Sequence, residues 1–332
     1  MLKIPEKTQA LVRSQEEEML EKLVRHDHAF RMLNSILNFE TLFEPYRSLY
    51  SNTGTAGIEV VKGLKSLLVQ FWEDFSDRQM ENALQENVAI KWFCGFALLA
   101  QTPDHTYFCK LRKRIGIKGI ASLFQTINDE LQKQGLFGNV FTFIDASSIV
   151  TKTALWKERD RAIKDGEEKL NNVNVTRFAS DKDARWGAKS KTKIWFGYKR
   201  HNAVDMRFGL IKNVCVTPAN VLDFKVLGDI CPKQGMVFTD KLYDCKEADA
   251  ILLSQHCHAA TIRKNTNKRK NNMLDFWRSR VRMPFESTFS RLRKRAKFRG
   301  KEKVLAQCMF ESICYNLKKA IVVLPREMPL AA

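Results

Sequence analysis

Over the first part of the chain, apolar positions recur every three or four residues. Leu20, Leu23, Phe30 and Leu33 fall on one face, opposed by Glu16, Glu17, Glu18, Glu21, Lys22 and Arg25, so residues 1–37 read as amphipathic helix. Gly54 to Gly57 interrupts, and Val60, Val61, Leu64, Leu67, Leu68 and Phe71 then resume the helical period. Ser76 precedes Asp77 and heads a helix through Met80, Ala83 and Leu84, because a serine oxygen can accept from an orphan amide of the first turn and an acid there suits the helix dipole. Pro103-Asp104 opens a segment with Tyr107, Leu111 and Ile115 on one face and Lys110, Arg112, Lys113 and Arg114 on the other. A last helix over about 120–134 ends at Gly135. No strand pattern intervenes, so residues 1–137 are predicted to form an all-helical domain.

At Gly138 the pattern changes. Val140 to Ile144 (VFTFI) predicts a short strand ending at Asp145. Residues 155–193 are polar and charged and predict a long loop. Strands follow over 194–204 and 208–216, joined by a tight turn at 205–207, then a short helix over 223–230 and a strand over 236–239 ending at Asp240. A helix over 246–255, a strand over 258–262 and helices over 285–298 and 304–323 complete the order. A hairpin followed by βαβ crossovers predicts an α/β fold, a mixed sheet flanked by helices, over 138–325 with a tail at 326–332.

Charge sharpens the division. Residues 1–140 hold 17 Lys/Arg and 17 Asp/Glu, and residues 141–332 hold the other 39 and 20, so the second part carries the whole formal +19. The excess gathers in RKNTNKRK (263–270), RSRVR (278–282) and RLRKRAKFRGKEK (291–303), three runs within about forty residues that predict a phosphate-binding surface. No apolar run approaches the roughly 20 residues of a spanning helix, and Pro5 and Glu6 stand where a secretion signal would be apolar. The eight cysteines form no CxxC pair, as in a reduced, cytoplasmic protein. His256, Cys257 and His258 are adjacent at a helix-to-strand junction, a poor arrangement for one tetrahedral ion. Trp186, flanked by Arg185 and Lys189, is either a core aromatic or a platform for an unpaired base.

Two acids, Asp145 and Asp240, close apolar strands, and strand ends of such a sheet are where ligands bind. A third, Glu286, lies just after Pro284 in the otherwise basic stretch PFESTFSRLRKR. Taken singly, each acid could be a turn or cap residue. Together they suit nucleic-acid phosphoryl transfer, in which two hard divalent ions about 3.5–4 Å apart are held by carboxylates from different elements.

In sequence, these segments resemble the DDE transposases of bacterial insertion sequences, of the insertion sequence four/five-like group. The resemblance covers about residues 40–320. DFSDRQMENAL (74–84) and TPDHTYFCKLRKRIG (102–116) resemble the family's N-terminal helical domain, which binds DNA ends. FIDASSI (143–149), FTDKLYD (238–244) and RMPFESTFSRLRKRAKFRG (282–300) resemble its three acidic motifs, and DARWGAKSKTKIWFGYKRH (183–201) and VTPANVLDF (216–224) its linking strands. The resemblance implies a ribonuclease-H-like core in which Asp145, Asp240 and Glu286 are catalytic and bind two Mg²⁺ ions, replaceable by Mn²⁺. It implies nicking of the element's ends by water, then attack of the freed 3′-hydroxyl on target DNA. The partners implied are double-stranded DNA, as terminal inverted repeats and target, and a second copy of the chain, in the bacterial cytoplasm at the nucleoid. The DNA contacts expected are Arg282, Arg293, Lys294, Lys297, Lys199, His201 and Lys241 in the core, and Lys110, Arg112 and Arg114 before it. Arg293, seven residues after Glu286, would share its helix face. Leu242 replaces the glycine usual between Lys241 and Tyr243, and would be strained if that position needs positive φ. That departure motivates a rival reading, a catalytically impaired or domesticated sequence-specific DNA-binding protein derived from a transposase.

Overall fold

The computed structural model describes residues 10–50, 57–151, 171, 175, 177, 179–190 and 192–327. The chain folds into two units, Met1–Glu130 with Ile313–Ala332, and Leu131–Ser312.

The first unit is helical among its described residues, with α1 (Ala10–Leu23), α2 (Ala29–Ile36), α3 (Phe39–Phe43), α4 (Val60–Trp72), α5 (Asp77–Glu86), α6 (Val88–Cys94) and most of α7 (His105–Lys133). Ser76 caps α5 as expected. Its hydroxyl accepts from the Gln79 amide while the Gln79 side chain accepts from the Ser76 amide, a complete capping box. Gly116 breaks α7 at φ 65°, so two helices meet there. The core forms around α4, buried over almost its whole length, and around the rings of Phe30 and Phe93, stacked at 4.6 Å, with Phe39 edge-on to Phe93. Ile313, Cys314, Leu317 and Ala320 of the last helix are buried and group with this unit. A domain border at 137/138 with the last helix wholly in the core, as periodicity suggested, therefore differs from the observed division. An apolar helix face does not reveal which core it will join.

The second unit is built on a six-stranded sheet of β1 (Phe141–Val150), β2 (Arg185–Ala188), β3 (Ile194–Asp205), β4 (Ile211–Pro218), β5 (Gly235–Thr239) and β6 (Cys257–Thr261). β3 pairs antiparallel with β1 through Gly197–Asp205, with β2 through Ile194–Gly197, and with β4 through Tyr198–Val204. β5 joins the other edge of β1 in parallel, and β6 extends the sheet in parallel beyond it. An antiparallel meander continued by parallel crossovers is the mixed α/β sheet expected of a ribonuclease-H-like core. The remaining helices are α8 (Leu227–Ile230), α9 (Lys246–Ser254), α10 (Asn272–Ser290) and α11 (Lys301–Glu327), with α11 crossing the unit border.

Two glycines permit close backbone approaches around β1. At Gly197 (φ 151°) a Cβ would lie 2.1 Å from the Ile149 carbonyl oxygen, and at Gly235 (φ 102°) 2.6 Å from that of Val140. The start of β1 is further held by Asp205, whose buried carboxylate accepts from the amides of Gly138, Asn139 and Arg207.

Several sequence expectations are corrected. β2 lies inside the stretch 155–193 read as loop, of which residues 155–170, 172–174, 176, 178 and 191 fall outside the described residues. β1 runs on to Val150 through Asp145, because β3 supplies antiparallel partners as far as Gly197. α10 begins 13 residues before Phe285, with Asn271 as its cap, and carries Pro284 inside it. It stops at Ser290, so the basic run after it is not a continuous helix. Instead Val150 donates to the Lys294 carbonyl and Ala296 donates to the Val150 carbonyl, pinning that run beside β1. Like charges crowded at helical spacing disfavour a helix there, and strand-like pairing satisfies the backbone instead.

Candidate active site

β1 and β5 run parallel in register, with Phe143 opposite Phe238 as the last pair. Two residues further on stand Asp145 and Asp240, at the same level of the sheet and, by the period of two, on the same face. Asp145 is thus at the end of the β1–β5 ladder although its own strand continues. Both acids are half-buried. The only hydrogen bonds to their carboxylates among the described residues come from nearby backbone, Ala146 N–H to Asp145 and Leu242 N–H to Asp240, each 2.8 Å.

Desolvation dominates their electrostatics. Burial pushes Asp145 up to about 6, with the charge of Asp240 adding to the rise, while the Ala146 amide, Lys189 and Arg282 oppose it. Asp240 is raised as well, by burial and then by Asp223, against the Leu242 amide, Arg282 and Lys189. Among the described residues neither acid makes an ion pair. Two hard oxygen donors held close, penalised for their charge and without a counter-ion, have the chemistry of a divalent-cation site.

Glu286 lies elsewhere on the rim. It is in the penultimate turn of α10, exposed, with Arg282 Nη2 3.4 Å from its Oε1. The Arg282 guanidinium also sits 5.7 Å from the Phe143 ring centroid, and its charge reaches both aspartates. Arg282 therefore stands between the aspartate pair and Glu286. Among the described residues no group of three His, Cys, Asp or Glu side chains is gathered closely enough to hold an ion. The structure brings two of the three expected acids together and leaves the third one cation away.

The expected DNA contacts separate into exposed and internal groups. Lys241, next to Asp240, is exposed, as are Lys294 and Lys110. Arg114 lies over the Tyr50 ring at 5.2 Å. Lys297 is half-buried, its amide donating to the Gln307 side chain. Four expectations need correction as free surface contacts. His201 is fully buried, its Nε2 2.9 Å from the Thr217 hydroxyl, and burial lowers its pKa to about 4, so it stays neutral. Lys199 donates to Asp223 at 2.8 Å and to the Val221 carbonyl. Arg112 is committed to Asp77 (2.6 Å) and Gln70. Arg293, beyond the end of α10, turns toward Glu311 rather than sharing the face of Glu286. Each contradicting partner is distant in sequence. Trp186 is buried at 4% exposure, on the core side of the alternatives weighed for it.

Leu242 is unstrained. It lies in a 3₁₀ turn (Lys241–Tyr243), is 58% exposed, and is absent from the non-glycine residues with positive φ, which among the described residues are Asp74, Asn139 and His256. The reason for suspecting an impaired copy therefore falls away.

Three contributors escaped sequence reasoning. Lys189, exposed in the turn after β2, attracts both aspartates. Asp223 opens the 3₁₀ turn before α8, its charge felt by Asp240. Tyr243 is 1% exposed, and the charges of both aspartates reach its hydroxyl. All three belong to motif segments already singled out (DARWGAKSK, VTPANVLDF and FTDKLYD), and that proximity in sequence was the available signal.

Comparison with known proteins agrees with this architecture. Residues 18–114 match a transposase domain (DUF772) and residues 137–317 match the Transposase DDE domain. The transposase for insertion sequence element IS1106 of Neisseria meningitidis serogroup B is 29% identical over 217 residues, covering 60% of this chain and 73% of that protein. No solved structure matches. The ribonuclease-H-like strand order, an aspartate pair at the end of its parallel ladder, and a family match spanning more than half of the 332 residues together establish that the chain belongs to the DDE transposase family, enzymes that cut and join DNA.

Proposed function

We propose that this transposase moves its insertion sequence by two in-line phosphoryl transfers at one site, first with water at the element's terminal inverted repeats and then with the freed 3′-hydroxyl on target DNA. The family generally uses divalent cations. In this reading Asp145 and Asp240 hold two Mg²⁺ ions, for which Mn²⁺ can substitute, and Glu286 completes the set. When bound, the ions would activate the attacking oxygen and neutralise charge on the leaving one. The single observation that carries the proposal is the in-register aspartate pair, desolvated and, among the described residues, without an ion pair.

The chain's own groups supply the rest. The Ala146 and Leu242 amides fix one oxygen of each aspartate, leaving the other to face a ligand. Arg282, whose charge already reaches both aspartates, would turn to a DNA phosphate once the acids have another cation. Lys241, Lys189 and Lys294, all exposed, add positive charge for the backbone. Arg114 and Lys110 would contact the terminal repeat from the helical unit. Simultaneous handling of two element ends calls for two copies of the chain, and we assign a homodimer on DNA in the bacterial cytoplasm.

The test is cleavage of DNA carrying the terminal repeats in Mg²⁺ or Mn²⁺ by Asp145→Ala, Asp240→Ala and Glu286→Ala. All three should lose cleavage and keep DNA binding. Cleavage retained in any one removes that residue from the site, and cleavage retained in both aspartate variants overturns the proposal.

A further inference from the structure

Among the described residues six buried side-chain nitrogen or oxygen atoms lack a hydrogen-bond partner, and three belong to Asn202, Tyr243 and Arg282. Asn202 is the cross-strand partner of Asp145, while the charges of the aspartate pair reach both Arg282 and Tyr243. Buried polar groups are nearly always paired, and an orphan costs stability. Concentrating orphans around one acidic pair suggests donors that wait for an arrangement absent from the ion-free protein.

Tyr243 is the clearest case. Its ring packs with Ile144, Ala203, Leu227, Val237 and Leu252, which explains the ring but not the hydroxyl. A phenylalanine would fill the same space without the unpaired oxygen. Burial, then the charges of Asp223, Asp145 and Asp240, pushes the hydroxyl well above the ordinary phenol range, so it remains a proton donor throughout the working pH range. Asp223 is anchored by Lys199 at 2.8 Å. The charges of three carboxylates thus reach the hydroxyl, one of them fixed by a lysine and two at the ladder end, while the ring packs against Ile144, the neighbour of Asp145.

We propose that the Tyr243 hydroxyl is a positioning donor for the acidic site, hydrogen-bonding to a carboxylate of the cluster when a divalent cation draws the acids together. This rests on the reading of Asp145 and Asp240 as the cation site and adds a second layer to it. An outer partner of this kind orients a ligating carboxylate and holds it against its neighbour's repulsion.

Tyr243→Phe in the full chain tests it. Three measurements suffice: thermal stability without divalent cation, Mn²⁺ affinity followed by the paramagnetic signal of free Mn²⁺, and cleavage of terminal-repeat DNA. Stability should be unchanged or higher, because the deleted group has no partner. Mn²⁺ affinity should fall about tenfold, and kcat should fall while KM for DNA holds. Wild-type Mn²⁺ affinity in Tyr243→Phe overturns the inference, and so does a marked loss of ion-free stability, which would make the hydroxyl a structural donor. Asp145→Ala and Asp240→Ala separate this from the underlying reading. If they keep wild-type Mn²⁺ affinity, the cation site itself is wrong. If they lose it while Tyr243→Phe does not, only the positioning role fails.

Discussion

Asp145→Asn should stabilise the ion-free protein while abolishing cleavage. The Asp145 carboxyl rises from an ordinary value of 3.8 to about 6, chiefly because burial penalises its charge. A group whose folded pKa is raised binds its proton more tightly in the native state, so its ionisation lowers stability as pH climbs from about 4 to about 6, after which the penalty is constant. A rise of roughly two units corresponds to about 3 kcal/mol at 1.36 kcal/mol per unit. Asp145 keeps some solvent contact, and screening brings the expectation to about 1–2 kcal/mol. For a unit of this size that is about 2–8 °C in melting temperature. The asparagine keeps an oxygen for the Ala146 amide and loses the charge. Melting measured in chelator from pH 4 to 8 should show variant and wild type converging at the acid end and the variant leading above pH 6. Added Mg²⁺ should then stabilise the wild type and leave the variant unmoved. A variant less stable than wild type at pH 7.5, or a difference independent of pH, would mean that burial does not set the cost of charge on Asp145.

Two further outcomes follow from the geometry. Leu242→Gly should bring no gain in cleavage and should cost about 0.5–1 kcal/mol by chemical denaturation, since the backbone there is not left-handed and glycine adds only unfolded-state freedom; a rise in activity would show that the 3₁₀ turn is wrongly held by leucine. Glu311→Gln should cost about 3–5 kcal/mol in melting experiments, because Arg200, fully buried at 2.7 Å from that carboxylate, would keep its charge without a counter-charge, and a loss under about 1 kcal/mol would mean that the Ser312 hydroxyl and Cys308 carbonyl suffice.

Local patterns made much of this molecule legible. The alternation and β-branched content of VFTFI and MVFT marked the strands that carry the aspartates, and Ser76, Asp77 and Gln79 announced the start of a helix. The same local reasoning failed where a distant partner decided the outcome. Arg293 lay seven residues from Glu286, which implied one face only while a helix was assumed to continue. Val150 instead captured the backbone at Lys294 and Ala296, and Glu311 captured the side chain. Lys199 and His201 were expected as DNA contacts from the family resemblance of their segment. Asp223 and Thr217, 24 and 16 residues away, turned them into internal partners.

The order of residues was enough to set most element types and the separation of a neutral helical part from a cationic α/β part, because helix and strand periods and net charge are properties of neighbouring residues. Which acids lie together, which cations are taken up by internal partners, and that a buried tyrosine hydroxyl lacks a partner among the described residues were settled by the closed fold. Those depend on register between strands some ninety residues apart, and desolvation, which sets the charge cost of each group, exists only once the sheet has closed over them.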